Sequence, residues 1–399
     1  MTVSLWNRSP APPPLDADLA IIGGGVCGLS AALHARRRGL SVVVLERHAA
    51  GSGASTRNAG YLMRGMADNY AAACDVLGDA LAQQAWRWTE ENLRGLQAEG
   101  VASLPSYRAT PSCLLALDDD EAAQLQRSAE LLQRDGFGAL LVESGPDSAW
   151  ASGVPLLGLV NPGDATVDPA ELIAMLAAGL GGSVLPGQEV HEIVPASRGA
   201  AGRCIVRTGT LEVRAPRVLA CTNAYARLLL PPLAGLVDPR RGQMLALACE
   251  GARLDYAYYA NHGHEYIRQL PSGVIIAGGC RGQFAAEEVG YEDATSPRVQ
   301  EAIAAFARLL LDRPIRVLAR WAGTMGFSPD GMPLVGPVSE DGSVWFCGGF
   351  TGHGMSLGYR TAAGAIAGML DGESADPLAT AFALHRCLAP GEALPAAGG

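Results

Sequence analysis

DLAIIGGGVCGLSAALHARRRGLSVVVLER, residues 18–47, decides the fold. It opens on a short apolar run, 19–22, of the kind a strand buried on both faces shows. Gly23, Gly25 and Gly28 follow in GxGxxG spacing. The first glycine permits a tight turn, the second lets backbone approach a pyrophosphate, and the third lets helix and strand pack closely. From Val26 to about Arg38 apolar residues gather on one helical face, and that helix start offers free N–H groups to phosphate. Gly39 ends the helix, and 41–45 read as a second strand. Glu46 then falls about 20 residues on, where a carboxylate accepts hydrogen bonds from ribose hydroxyls and repels the extra phosphate of NADP. The spacing predicts a dinucleotide-binding βαβ unit.

A second glycine-rich stretch, SPDGMPLVGPVSEDGSVWFCGGFTGHGMSLG, occupies residues 328–358. Residues 344–347 read as a strand. Gly349, Phe350, Thr351, Gly352, His353, Gly354 and Met355 then lead into a Gly/Ala-rich helix that runs to about Leu370. Unpaired N–H groups and the positive dipole end of that helix suit a group that gains negative charge on reduction. A third small-residue loop, RHAAGSGASTRNAG, follows Glu46. Gly51, Gly53, Ala54, Ser55, Ala59 and Gly60 are small enough for a ribityl chain or flavin ring to lie against backbone. Arg47, Arg57 and Asn58 would serve phosphate or polar atoms of the ring. A dehydrogenase using NAD alone needs neither extra loop. A cofactor gripped from both ends of the chain is FAD, and the chemistry is redox.

Composition narrows the classes. The chain has 399 residues, 49% apolar and 18% charged, which is a globular balance with room for one large core or two domains. A net charge of −10 argues against nucleic acid as partner. No apolar run reaches the ~18 residues of a membrane span. The nine cysteines are scattered without CxxC, so reduced buried thiols and a cytoplasmic location are expected. His262 and His264 at i, i+2 lack a supporting Cys or acid cluster, and no metal is expected.

The middle supplies the rest of the architecture. Residues 184–190, 205–206, 211–213 and 218–221 read as strands. Residues 79–97 and 119–134 are amphipathic helices that flank a candidate strand in SYRATPSCLLALD, and 255–282 are aromatic and β-rich. The fold class is α/β with an α+β substrate part: a Rossmann-like FAD-binding domain (18–65, 147–226, 319–387) and a mixed-sheet substrate domain (66–146, 227–318). Both are assembled from discontinuous segments, with tails at 1–17 and 388–399. Tyr258, Tyr259, His264, Tyr266, Arg268 and Arg281 are the polar and aromatic candidates of the substrate region, and Tyr266 and Arg268 share a strand face.

The fingerprint ending in Glu46-Arg47, the GASTRNAG loop and the closing GGFTGHGMSLG together resemble the D-amino-acid oxidase family of flavoproteins, which includes glycine oxidase, monomeric sarcosine oxidase and gamma-glutamylputrescine oxidase. The resemblance spans residues 16–385. TRNAG and ACTNAYA look closest to the glutamylputrescine branch. It implies that Val190 touches the adenine end through its backbone and that Thr222 lies near the pyrophosphate. It also implies oxidation of the C–N bond of an amine or amino acid, with hydride passing to the flavin and an imine hydrolysed afterwards. Oxygen is the expected acceptor, with hydrogen peroxide released. A dehydrogenase delivering electrons to a quinone or protein is the alternative, and a non-catalytic flavin-binding subunit the second.

Departures from the family pattern matter as much. A cysteine that holds the flavin covalently in sarcosine oxidase aligns with Gly323, so FAD is expected to be non-covalent. The carboxylate-binding arginine of glycine oxidase aligns with Met325, and the lysine of sarcosine oxidase with Ser356. Either Arg64, Arg268 or Arg281 replaces these anchors, or the substrate is an amine whose carboxylate lies elsewhere; the second is the closer reading. Tyr259, His264, Tyr266, Arg281 and His353 are the catalytic-site candidates, with His353 placed to hydrogen-bond flavin or substrate.

Overall fold

The computed structural model describes residues 13–66, 68–372 and 377–388. Its frame is a six-stranded sheet ordered Leu334–Pro337, Val344–Gly348, Arg217–Ala220, Leu19–Ile22, Val42–Leu45 and Val184–Leu185. Every neighbouring pair runs parallel except the first. Leu19–Ile22 is buried along its whole length, as its unbroken apolar run requires. The predicted fingerprint helix forms as Val26–Arg37, and the predicted closing helix as Gly354–Asp371. These two helices pack together through small residues: Ala31, Ala32, Ala35, Ala362 and Ala365 are all fully buried. Asn92, on helix Asp79–Ala98, pins the closing helix. Its amide donates to the Met355 carbonyl at 3.0 Å, and its oxygen accepts from the Tyr359 and Arg360 N–H groups at 2.9 and 3.1 Å.

A second, eight-stranded sheet runs Arg316–Phe327, Asp238–Ala248, Ile275–Gly279, Glu265–Gln269, Ala257–Ala260, Ser112–Ala116, Leu157–Asn161 and Leu140–Val142. Helix Pro297–Leu311 covers one face, burying Val299, Ile303, Phe306 and Leu310 against Leu245, Leu247, Ile267 and Ile275. Each such side chain contributes ~1.5–3 kcal/mol when fully buried. The mixed sheets and discontinuous segments fit the α/β class with an α+β substrate part.

Four expectations about segments change. Leu157–Asn161 and residues 319–327 of strand Arg316–Phe327 fall within the expected FAD-binding segments, but their hydrogen bonds join them to the eight-stranded sheet. The latter is a 12-residue strand, long enough to run the length of Asp238–Ala248 and still reach the closing loop. Residues 184–190 do not form one strand. Pro186, which has no N–H, and Gly187, at φ +70, break it, and Val190–Val194 enters a separate four-stranded sheet. Leu15–Asp16 is no tail: it pairs in parallel with Val213 and Arg214. Of the two expected tails, residues 1–12 and 389–399 lie outside the described residues.

The glycine turn has no slack. A Cβ on Gly28 would stand 1.9 Å from the Gly23 carbonyl oxygen, and Gly23 itself sits at φ +106. The atom it would strike belongs to backbone, so the turn cannot yield cheaply. Gly28→Ala will lower stability by about 2 kcal/mol or more and yield protein that purifies without yellow colour. Gly182→Ala, where an added Cβ meets nothing within 4 Å, will do neither. Thermal unfolding and the flavin absorbance of the purified proteins check both.

Candidate active site

Two cavities open at the carboxyl ends of the parallel strands, where ligands collect in open α/β sheets. The wider, about 720 Å³, is lined by Gly23, Gly25, Glu46, Arg47, Ser55, Val190 and Thr222, among others. Glu46 sits on its wall with both oxygens oriented by backbone: Oε2 accepts from the Gly24 N–H at 2.7 Å and Oε1 from the His48 N–H at 3.0 Å. Arg47 lies over the Tyr225 ring, 4.1 Å from its centroid. Ser55 caps the fingerprint helix, its Oγ accepting from the Val26 N–H at 3.0 Å. The Thr222 hydroxyl is buried with no hydrogen-bond partner, a cost of about 1–3 kcal/mol unless a ligand meets it.

The narrower cavity, about 190 Å³, shares Ala54 with the first and lies between the eight-stranded sheet and the closing loop. Tyr259, His264, Tyr266, Arg281 and His353 all line it, together with Arg57, Asn58, Ala59, Thr351, Gly352 and Met355. Tyr61, Tyr259 and Tyr266 form a mutual ring cluster with centroids 5.0, 5.5 and 6.2 Å apart. Burial raises all three phenols above their ordinary value, so they stay neutral. Burial likewise pushes the His353 imidazole down to about 4. His353 is the N-cap of the closing helix; its carbonyl accepts from the Ser356 and Leu357 N–H groups at 3.1 Å each, while the Gly354 and Met355 N–H groups have no acceptor among the described residues. Arg281 packs 4.5 Å over the Phe327 ring, and burial lowers its pKa.

The loop 51–60 joins the cavities, and its polar side chains are mostly committed to holding it. Asn58 donates to the Ala54 and Ser55 carbonyls and accepts from the Gly60 N–H. Arg57 donates to the Ser52 and Ala322 carbonyls and pairs with Asp293. A side chain at Gly323 would strike Arg57, 2.9 Å from its Cβ.

Several predicted site residues stand elsewhere. Gly60 lines neither cavity; its φ of +72 and a would-be Cβ contact of 2.0 Å to the Val167 carbonyl explain the glycine. Gly349 donates its N–H to Asn223 Oδ1 at 3.0 Å, and Phe350 is buried in the core, so both support the closing loop from behind. Val26, Gly28 and Gly354 shape the two helix starts without lining a cavity. Tyr258 turns to the opposite face and donates to Asp147 at 2.6 Å. Arg268 is sealed in, donating to the Val167 carbonyl, and Arg64 is taken by Glu90 and Asn161.

Sequence reasoning missed Tyr61, Met63, Gly242, Met244 and Phe327, which also line the narrow cavity. Period-two alternation was available as a signal. Gly323, Met325 and Phe327 occupy alternate positions of one strand, Gly242 and Met244 of its partner, and all five face inward. Asn223 was also missed as a joint. At φ +43, it links strand Arg217–Ala220 to the closing loop.

Comparison with known proteins accords with this geometry. The family described as FAD dependent oxidoreductase matches residues 18–367. Glycine oxidase from Pseudomonas aeruginosa is 28% identical over 359 residues, covering 85% of this chain and 91% of that protein. Gamma-glutamylputrescine oxidoreductase from Escherichia coli is 25% identical over 399 residues, covering 90% and 85%. The solved L-proline dehydrogenase from P. horikoshii superposes with a TM-score of 0.77 at 20% identity, covering 94% of this chain and 98% of that one, which is a likeness of fold. No helix among the described residues is long and apolar enough to cross a membrane. The chain therefore belongs to the D-amino-acid-oxidase-type family of FAD-dependent oxidoreductases.

Proposed function

We propose that the enzyme oxidises the C–N bond of a carboxylate-bearing amine or amino acid, with oxygen as acceptor and hydrogen peroxide as product. One observation carries the substrate class. Of the two arginines lining the narrow cavity, Arg57 is paired with Asp293, whereas Arg281 has no carboxylate partner among the described residues. A half-buried guanidinium without an anion loses part of its hydration uncompensated, and a substrate carboxylate would satisfy it with a charge-assisted pair. Arg281 thus takes the place of the anchors absent at Met325 and Ser356, which revises the reading of an amine whose carboxylate lies elsewhere. The names of the two sequence relatives, one acting on glycine and one on gamma-glutamylputrescine, support amine chemistry.

The residues present fit FAD. Glu46 would take the ribose hydroxyls, the glycine turn and the unpartnered Thr222 hydroxyl the pyrophosphate, and Val190 the adenine side. The loop 54–59 and the residues 351–355 would hold the ring. When bound, FAD accepts the hydride from the carbon next to nitrogen, leaving an imine that water hydrolyses. The chain's own part is placement and exclusion of water. Arg281 fixes the carboxylate, and the tyrosine cluster walls the amine with neutral aromatic faces. A neutral His353 offers a ring nitrogen without repelling a substrate ammonium.

Anaerobic mixing with a panel of amines and amino acids will bleach the flavin fastest with carboxylate-bearing amines, and turnover in air will yield stoichiometric hydrogen peroxide. Arg281→Met will raise KM for these substrates by roughly 10–100-fold, the loss of a ~1.5–3 kcal/mol contact, and will spare amines without a carboxylate. An unchanged KM sinks the anchor. Absent peroxide alongside fast dye reduction would favour the dehydrogenase alternative.

The pH profile follows from burial. His353 is held at about 4, so its neutral form persists through pH 5–8 and is lost only below that window. The acid limb of kcat/KM will therefore track the substrate's own ammonium pKa as substrates are exchanged. His353→Gln will leave that limb in place; a shifted limb in the variant contradicts the assignment.

Gly323, held bare by Arg57, supports a non-covalent flavin. Acid precipitation will leave the yellow colour in the supernatant, and colour in the pellet would refute it.

A further inference from the structure

Three thiols from distant parts of the chain meet beneath the glycine turn. Cys27 lies in the first turn of helix Val26–Arg37, Cys221 just beyond strand Arg217–Ala220, and Cys347 on strand Val344–Gly348. The Cys27 sulfur stands 3.7 Å from that of Cys221 and 3.3 Å from that of Cys347. All three are buried and free. Cys221 nevertheless forms part of the wall of the 720 Å³ cavity, where the nucleotide portion of FAD would cover it. Cys347 lines neither cavity. Cys27 occupies a helix start, where the dipole favours negative sulfur, and hydrogen bonding with Cys221 and Cys347 lowers its pKa from the ordinary thiol value. The neighbours' own thiols are pushed up in consequence.

We propose that Cys221 and Cys27 are an oxidisable pair, open to hydroperoxides through the nucleotide cavity and shielded by bound FAD, whose disulfide blocks cofactor loading. A hydroperoxide entering the cavity meets Cys221. The proton shared between the two sulfurs passes to Cys27 as Cys221 attacks. The sulfur takes the nearer oxygen as S–OH, and the peroxide's other oxygen leaves as hydroxide, which takes a proton from solvent to become water. Cys27, 3.7 Å away, then attacks the sulfenic sulfur and expels the second oxygen, which leaves as water with the Cys27 proton. Two thiols lose two electrons and two protons to one hydrogen peroxide, giving one disulfide and two waters.

The bond must close 3.7 Å to about 2.05 Å. That draws the first turn of the fingerprint helix toward Cys221. The turn between them cannot absorb the motion. A Cβ on Gly23 would already lie 2.8 Å from the Cys221 carbonyl oxygen, and one on Gly28 1.9 Å from the Gly23 oxygen. The cradle for the pyrophosphate deforms, and FAD binds less well.

The test uses the full-length chain with Cys387→Ser, which removes the one thiol that is not buried. Holoenzyme and deflavinated protein are treated with hydrogen peroxide, alkylated, digested without reduction and mapped by mass spectrometry. A Cys27–Cys221 cross-linked peptide will form in the deflavinated protein and be at least tenfold scarcer in the holoenzyme. FAD rebinding, followed by quenching of flavin fluorescence, will be at least tenfold weaker after oxidation and restored by dithiothreitol. Cys347→Ser will retain this response and Cys221→Ser will lose it; should either variant fold poorly, the parent's peptide map and rebinding decide alone. Absence of the cross-link, a cross-link to Cys347 instead, equal cross-linking with FAD bound, or unchanged FAD affinity would each overturn the proposal.

Discussion

The close contact of backbone on backbone at the glycine turn governs the rest of the molecule. Gly23, Gly28 and the Cys221 carbonyl approach so nearly that no side chain fits among them. Their approach sets the fingerprint helix directly on the parallel sheet and aims its start at the wide cavity. The closing helix then lies against the fingerprint helix through alanine and glycine, which brings a second helix start to the narrow cavity. Two positive dipole ends therefore face one elongated space. A dinucleotide with negative charge in its middle and a ring that gains charge on reduction is complementary to that arrangement.

Electrostatics in the narrow cavity are unusually sparse. Tyr61, Tyr259, Tyr266 and His353 line it beside His262 and His264, and burial keeps the three phenols and His353 neutral through the working pH range. Of the two arginines on its wall, Arg281 is the one without a carboxylate partner among the described residues. Under the proposed reading such a site orients its substrate by one ionic contact and aromatic contours. Chemistry by hydride transfer suits it because the difficult electronic step belongs to the cofactor.

Much of the dinucleotide side is legible in the sequence. The glycine spacing, the apolar run at 19–22 and Glu46 are local signals, each read within one βαβ unit. The cavity-facing roles of Tyr259, Tyr266 and His264 are partly legible, since alternation on short strands shows which residues share a face but not which face is inward. Tyr61 and Met244 escape because their neighbours come from strands far away in the chain. Gly60, Gly349 and Phe350 show the converse error. Each sits in a motif that belongs to the site, yet its own side is turned to Val167, Asn223 or the core. Motif membership marks a loop, and only register and packing mark which of its residues touch the ligand. The change of strand 316–327 from one sheet to the other has the same origin: hydrogen-bond partners are not encoded by position along the chain.

The order of the parallel sheet has a consequence for synthesis. Its central neighbours are Leu19–Ile22, Arg217–Ala220 and Val344–Gly348, drawn from the beginning, the middle and the end of the chain. While the ribosome is still adding residues, the glycine turn exists without the strand and closing helix that complete its pocket. Pairings of such long sequence separation form late and slowly. The nascent chain thus holds Leu19–Ile22 open on one side until Arg217–Ala220 is made, and that strand in turn waits for Val344–Gly348, so the pocket for the cofactor is completed only after this last pairing.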